Sequence, residues 1–410
     1  MNTILINTGT EILLGDVLNT HLGFIAREIF PLGLRIDRQI AVPDGSAISD
    51  ALLENLATAD IVFLTGGLGP TTDDITRETA AELLGLKLQR DETVAKAITD
   101  RLSSRGWTMT DRILRQALVP EGATVLPNPL GTAPGLYLSA NLNPRIRSPH
   151  LFLLPGPPRE LQPMFIQLVM PILRILMPTQ SSMHCRTYRI AGMGESLVER
   201  AIGEKILSIR EIEIGYCAGI GEVELRIIGE RAVVEQAEGI IKATLGDAIF
   251  STNKEKLEEV IVRMLRDRKE TVVTAESCTG GLLADRLTNV AGASAVFLGG
   301  FVVYANEMKC NVLGVDETVI KKHGAVSEPV AAAMAETARE KSGATYALAT
   351  TGIAGPDGGS VDKPLGTLYI AVAAAGTKTL VRHFNFASDR ETFKQLATQT
   401  AFNLLRKRLL

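Results

Sequence analysis

The sequence predicts an α/β protein of several domains, and three observations carry that prediction. Apolar runs of strand length alternate with helical periodicity along most of the chain, as βαβ units require. At about 100 to 200 residues per domain, the 410 residues exceed a single core, so three domains are expected. Two strand-like runs end in glycine- or hydroxyl-rich turns that open straight into helices, at Gly66 and at Ser277. In open α/β sheets such turns lie at the carboxyl ends of strands, where ligands bind.

Composition narrows the class. Charged residues make up 22% and hydrophobic residues 46%, enough apolar material for several cores. The formal charge of -3, from 43 Lys plus Arg against 46 Asp plus Glu, gives no electrostatic reason to coat nucleic acid or a membrane surface. Any bound anion must be met by local groups. Cys185, Cys217, Cys278 and Cys310 form no CxxC pair, so neither zinc nor a disulfide framework is signalled. The start of the chain has no basic segment followed by a long apolar one, and no run approaches the about 18 apolar residues of a membrane span. The expectation is a soluble, cytoplasmic protein with no membrane partner.

The first segment, residues 1–178, opens with the apolar run Ile4-Leu5-Ile6, and the pattern predicts helices over 19–32 and 47–57 and a buried strand over 60–65. After that strand come Gly66-Gly67-Leu68-Gly69-Pro70-Thr71-Thr72-Asp73-Asp74. Gly66, Gly67 and Gly69 let backbone N–H groups approach an anion closely. Asp73 and Asp74 could hold a divalent metal against a phosphate, or simply start the next helix, which is the commoner use of acids there. A second turn, Pro155-Gly156-Pro157-Pro158, follows another apolar strand and reads equally as rigid turn or ligand loop.

The second segment, residues 179–252, reads as a small α+β unit: strands over 186–191 and 222–228, helices over 195–202 and 233–245. A nucleic-acid-binding domain of this size would want a basic Gly-x-x-Gly loop. The nearest stretch, Gly219-Ile220-Gly221-Glu222, is acidic, so a spacer or dimer surface is favoured over RNA binding.

The third segment, residues 253–410, begins with an amphipathic helix over 254–267 and holds strands over 296–304, 344–350, 365–375 and 379–386. Ser327 is expected to cap a helix over 330–341, and Ser388-Asp389 to start a final helix over 390–408. At its centre stands Thr274-Ala275-Glu276-Ser277-Cys278-Thr279-Gly280-Gly281. A Ser on such a turn, beside the free N–H groups of a helix start, suits a nucleophile next to an oxyanion site. The commoner use is capping, with Ser277 and Thr279 closing the helix start and the glycines relieving a crowded turn.

A nucleophilic Ser needs a base. Of the five His residues only His323 and His383 lie in this segment, one at a helix end and one in a strand pattern, each with an ordinary structural role. Lys309, after an apolar strand, could serve if burial lowered its proton affinity; otherwise it is a solvated helix lysine. Cys278 is the rival nucleophile, although a small buried hydrophobe is its commoner use. Spacing alone does not choose between Ser277 and Cys278.

These motifs together resemble the CinA family. Thr8-Gly9-Thr10-Glu11, the Gly66 loop, Pro127-Asn128-Pro129, Gly131-Thr132-Ala133-Pro134-Gly135 and the Pro155 turn are similar to its N-terminal domain, which implies a molybdopterin-binding-like, three-layer α/β fold. The resemblance further implies hydrolysis of ADP-ribose with a divalent metal, with Thr72 standing where the motif often has Lys. The middle segment resembles a KH-like domain. The Ser277 turn, Tyr304 to Lys309, Thr351-Gly352 with the loop after them, and Ser388-Asp389-Arg390 resemble the C-terminal, PncC-type domain, a nicotinamide mononucleotide amidohydrolase that needs no cofactor. That resemblance implies Ser277 as nucleophile, Lys309 as general base, Tyr304 ordering the pair, and oxyanion donors near Thr279 and Gly280, with Gly281 also at the substrate. It places Thr351 and Gly352 along the ligand and Arg390 at its phosphate, and it implies a homodimer. A different class stays in view: a nucleotide- or nucleic-acid-binding protein with a vestigial centre, tied to the family's link with competence and DNA damage.

Overall fold

In the computed structural model the described residues are 1–104, 110–177 and 183–410. The expected boundary at 178/179 lies outside them. Two compact units emerge, Met1–Met183 and His184–Leu410, each considered by itself.

The first unit is built on β1 (Thr3–Thr8), β2 (Arg38–Val42) and β3 (Ile61–Thr65), with a short separate ribbon of β4 (Leu88–Arg90) and β5 (Leu118–Pro120), then β6 (Thr124–Leu126), β7 (Gly135–Leu138) and β8 (His150–Leu154). The main sheet runs β2-β1-β3-β8-β7-β6. Its first four strands are parallel and the last two antiparallel. Between them come α1 (Thr10–Leu14), α2 (His21–Ile29), α3 (Ala47–Leu56), α4 (Thr76–Leu83), α5 (Glu92–Ser103), α6 (Asp111–Leu114), α7 (Pro158–Met164) and α8 (Met170–Leu176). Strand alternation sends Ile4 and Ile6 to one face, against Ile48 and Leu52 of α3 and Ala80 of α4. Leu5 goes to the other, against Phe24 and Ile25 of α2 and Leu161 of α7. Both faces of the sheet are covered, which is why β1 and β3 read as unbroken apolar runs, and the three-layer expectation holds.

In the second unit β9 (Met183–Ala191), β10 (Glu213–Gly219), β11 (Glu222–Glu230) and β12 (Ile249–Ser251) form a sheet in the order β10-β11-β9-β12. Helices α9 (Glu195–Leu207) and α10 (Arg231–Leu245) pack on it through Val198, Ile202, Val234 and Ile241. The sequence reading leaves 213–219 unassigned; its Gly215, Cys217 and Gly219 carry little strand propensity, and pairing with β11 makes the strand. Gly219-Ile220-Gly221-Glu222 is therefore the turn of a β-hairpin, and it lies against another helix of this unit, described next.

The remaining strands β13 (Val272–Glu276), β14 (Phe297–Val302), β15 (Tyr346–Gly352), β16 (Thr367–Ala374) and β17 (Leu380–Asn385) are ordered β14-β13-β15-β16-β17. The first three are parallel and the last two antiparallel. One face carries α11 (Leu257–Arg268), α12 (Leu282–Thr288) and α16 (Arg390–Leu409). The other carries α14 (Glu317–His323) and α15 (Glu328–Ser342), with α13 (Asn306–Met308) preceding them. Ala191 and Phe250 of the smaller sheet join the core formed by α11 and α16, so the two domains share apolar packing. Gln399 of α16 donates to Glu222 at 2.9 Å and accepts from Arg286 of α12 at 2.7 Å. A Cβ on Gly221 would stand 2.9 Å from the Gln399 side chain, so the hairpin turn fits against α16 only as glycine.

Among the described residues no helix is long and apolar enough to cross a membrane.

Candidate functional sites

Ser277 directly follows the last residue of β13, and its N–H donates to Thr350 O of β15 at 3.0 Å. The turn continues through Gly280 and Gly281, both at positive φ, into α12. The expected cap on α12 is not Ser277 or Thr279. Glu276, fully buried, reaches forward instead: its carboxylate accepts from the N–H groups of Gly281, Leu283 and Ala284 at 2.9 to 3.0 Å and from the Thr279 hydroxyl at 2.8 Å. Thr279 also meets Thr350 at 2.8 Å. The helix start is thus already filled by a charged acceptor, where the macrodipole favours one.

This relocates the oxyanion donors. The Gly281 N–H is held by Glu276, and the Gly280 N–H donates to Ser277 O at 3.1 Å. Among the described residues the N–H groups of Cys278 and Thr279 have no acceptor, so these two, not Gly280 and Gly281, are the free donors at the turn. Ser277 itself is 8% exposed and its hydroxyl makes no hydrogen bond among the described residues. That leaves it available to a ligand.

Lys309 is 1% exposed. Its Nζ donates to Val303 O at 3.1 Å and Tyr304 O at 3.0 Å, and no carboxylate among the described residues pairs with it. Burial pulls its proton affinity below that of an ordinary lysine. Strand register places it: β14 lies beside β13 with Val302 opposite Glu276, and Val303 donates to Glu276 O at 2.8 Å. The carbonyls that hold Lys309 therefore emerge from the sheet beside the Ser277 turn. Tyr304 orders Lys309 through its backbone carbonyl, while its exposed phenol accepts from Arg390 at 2.6 Å. Arg390 also donates to Gly355 O at 2.8 Å, tying the start of α16 to the loop after β15.

Cys278 is buried in the core against that loop, and burial pushes its thiol up to about 12. A thiol that stays protonated at neutral pH is a poor nucleophile. Of the two candidates, Ser277 is the one whose side chain is unengaged. Gly352 fits because a Cβ there would lie 3.2 Å from the Cys278 sulfur and 2.7 Å from Thr367 O. Thr351 turns its hydroxyl to Ala325 O at 2.9 Å, so it holds the neighbouring loop and does not present that group to a ligand. His383 stacks on Tyr369, and His323 contributes its backbone carbonyl to Lys363 at 2.7 Å. Ser327 stands at the start of α15 but donates to Gly324 O at 2.8 Å instead of capping, while Asp389 caps α16 as expected. Glu276 escaped the sequence reading, although an acid next to a helix start was a visible signal.

In the first unit a cavity of about 230 Å³ is lined by Thr8, Gly9, Glu11, Asp44, the Gly66 loop, Thr132, Gly156 and Glu160. Gly66, Gly67 and Gly69 all line it. Gly66 and Gly67 have positive φ, and a Cβ on either would come within 2.4 Å of a threonine hydroxyl, Thr8 or Thr76. The two aspartates do not line it. Asp74 turns back on its own loop, accepting the Thr71 N–H at 2.8 Å and the Thr71 hydroxyl. Asp73 is exposed, with the Thr71 hydroxyl holding its carboxyl below the usual range. The carboxylates at the wall are Glu11, Asp44 and Glu160, which sequence reasoning missed; Asp44, in the turn Pro43-Asp44-Gly45, was the most legible of them. Asp44 accepts from Thr10 N at 3.1 Å and Glu160 from Asn128 at 2.8 Å. Among the described residues no three metal-ligating side chains converge.

Known proteins match this arrangement along the chain. Residues 4–175 match the family described as "Probable molybdopterin binding domain", residues 185–251 the "Damage-inducible protein CinA KH domain", and residues 254–409 the "CinA C-terminal domain". A CinA-like protein of Akkermansia muciniphila is 43% identical over 397 residues, covering 97% of this chain and 95% of its own. Another, from Kosmotoga olearia, is 40% identical over 418 residues, covering 100% and 99%. A solved competence-damaged protein (CinA) superfamily structure from Klebsiella pneumoniae is 35% identical, covers 37% of this chain and 95% of its own, and has a TM-score of 0.36. A CinA of unknown function from Thermoplasma acidophilum is 32% identical over 42% of this chain and 97% of its own, with a TM-score of 0.37. With three domains matched in order and relatives aligned end to end, the chain belongs to the CinA family.

Proposed function

We propose that the second unit is a nicotinamide mononucleotide amidohydrolase. The observation that carries this reading is Lys309: a buried amine with only carbonyl partners, its proton affinity lowered by burial, set at the strand end beside the turn that carries an unengaged serine hydroxyl. An amine in that state is a base in search of a proton, and the adjacent hydroxyl carries one. Neutral Lys309 takes the Ser277 proton as Oγ attacks the carboxamide carbon. The N–H groups of Cys278 and Thr279 meet the oxyanion. Collapse breaks the C–N bond, with Lys309 returning its proton to the departing ammonia. Water then attacks the acyl-serine, giving its proton to Lys309; collapse breaks the C–O bond to Ser277, Lys309 returns that proton to Oγ, and nicotinate mononucleotide leaves with both groups restored. No cofactor enters the cycle. The test is ammonia and nicotinate mononucleotide formed stoichiometrically from nicotinamide mononucleotide by the full chain. A chain that binds this substrate without turnover would leave the nucleotide-binding reading in its place.

A second reading, metal-dependent hydrolysis of ADP-ribose in the first unit, is favoured by the cavity that joins a glycine-rich loop to Glu11, Asp44 and Glu160. Magnesium is commonly held by one or two carboxylates plus substrate phosphates, so this wall fits it even without a three-carboxylate cluster. Asp44 and Glu11 are the residues that would hold the ion, which when bound neutralises phosphate charge. Gly67 and Gly69 present N–H groups to the phosphates, whereas the Gly66 N–H is held by Leu154 O at 2.9 Å. Release of AMP from ADP-ribose on adding magnesium is the check.

Nucleic-acid binding is the weakest use of the middle domain, because its Gly-x-x-Gly-like turn is a hairpin packed against α16.

A further inference from the structure

Two cations occupy the first turns of α16, Arg390 and Lys394, one helical turn apart. Positive charge is unfavourable at a helix N-terminus, and like charges at i and i+4 repel. Among the described residues neither is in an ion pair. Arg390 is committed to neutral acceptors, Tyr304 and Gly355. Lys394 is half-buried, makes no hydrogen bond among the described residues, and brings its ammonium within 3.8 Å of where a Cβ on Gly280 would stand. An unneutralised lysine thus leans over the turn that presents Ser277. The other anion-binding device at this turn, the α12 N-terminus, is closed by Glu276. A phosphate reaching this site meets Lys394 instead.

We propose that Lys394 is the specificity-determining residue for the 5′-phosphate, so that the site takes a phosphorylated riboside in preference to the free nucleoside, with Arg390 positioning Tyr304 and the Gly355 loop around it. The proposal rests on the amidohydrolase reading for its substrate class, but its ligand chemistry, a sugar phosphomonoester, stands apart from turnover. Two measurements on the full chain test it, using Lys394→Met, which keeps the aliphatic stem, and Lys394→Arg, which keeps the charge. In calorimetric titration, ribose 5-phosphate is expected to bind Lys394→Met about ten- to a hundredfold more weakly than the unmodified chain, the worth of one hydrogen bond to a charged group, with Lys394→Arg retaining most of the affinity. In turnover, the kcat/KM ratio of nicotinamide mononucleotide over nicotinamide riboside is expected to fall by a similar factor in Lys394→Met, through KM. Ribose 5-phosphate binding that does not depend on Lys394, or an unchanged ratio, overturns the proposal. Lys394-dependent binding without ammonia release from any substrate would remove the amidohydrolase reading and leave the phosphate site standing.

Discussion

At Gly66 a parallel strand ends in glycines and opens toward α4; at Ser277 another parallel strand ends in hydroxyl residues and opens into α12. The parts are alike, yet the two turns handle charge in opposite ways. At Ser277 the protein fills the helix start with its own Glu276, places a buried amine beside the turn and leaves a hydroxyl and two N–H groups to a ligand. At Gly66 the glycines press against Thr8 and Thr76, no lysine or arginine among the described residues lines the cavity, and carboxylates stand at its wall. The Ser277 turn suits the covalent chemistry proposed above, and the Gly66 turn suits the proposed metal-assisted reading, in which a cation would offset the carboxylates at its wall. The sequence signature of strand, small-residue turn and helix therefore locates a site without saying what kind of site it is.

Four substitutions press on the Ser277 side of that contrast. Ser277→Ala is expected to lower kcat for ammonia release by about 10,000-fold or more, as loss of a nucleophile does. Cys278→Ser, which alters only a buried thiol beside the core, is expected to leave ammonia release within about tenfold. The reverse ranking would move the covalent step to sulfur. Lys309→Met is expected to cost about 100- to 10,000-fold, the usual worth of general-base catalysis. The same group sets the pH dependence. Only neutral Lys309 accepts the serine proton, so kcat/KM should rise with pH and level off once the amine is deprotonated. Because burial lowers its proton affinity, the midpoint must fall below the ~10.4 of a free lysine. A flat profile up to that pH would assign the base to another residue. Glu276→Gln replaces one acceptor oxygen with an NH₂ that faces helix N–H groups, leaving buried donors unmatched. Denaturant unfolding of the second unit should register a loss of about 2 to 4 kcal/mol; an unchanged midpoint would mean that the helix start does not need its carboxylate.

What was legible beforehand follows the range over which each interaction acts. The strand–turn–helix succession at the two turns and the helix starts at Asp389 and α15 are set by local patterning, and they were readable; the three-layer arrangement was expected only from the family resemblance. Lys309 was readable as a candidate, but its burial depends on β14 lying beside β13, a pairing that sets Val272 against Phe297 and Glu276 against Val302, far apart along the chain. The cap on α12 was misassigned because local rules name Ser or Thr, whereas Glu276 reaches seven and eight residues forward only after the glycines fold the turn back. Asp73 and Asp74 were chosen for adjacency to the glycines. The loop curls, and Asp74 is absorbed by Thr71 one turn away, while Asp44 arrives from the end of β2, beside β1 in the sheet. Lys394 carried no motif at all; its meaning comes from what α16 packs against.

The smallest predicted contrast tests the Gly66 turn. If the cradle is completed by a metal, the residue that matters is one at the wall, so Asp44→Asn should lower magnesium-dependent AMP release from ADP-ribose by about ten- to a hundredfold, the usual cost of weakening a metal's surroundings. Asp73→Asn removes a charge from an exposed side chain bonded within its own loop, and a surface change of that kind is expected to alter the rate by no more than about twofold. The two variants differ by the same single atom type, so their ratio cancels generic effects of lost negative charge near the phosphates. Raising magnesium should recover part of the Asp44→Asn deficit if the carboxylate acts on the ion, and none of it if Asp44 serves only to hold Thr10 and the start of α1. Equal losses in the two variants would return the metal to the Asp73 loop and erase the distinction between a glycine cradle with its wall and one without.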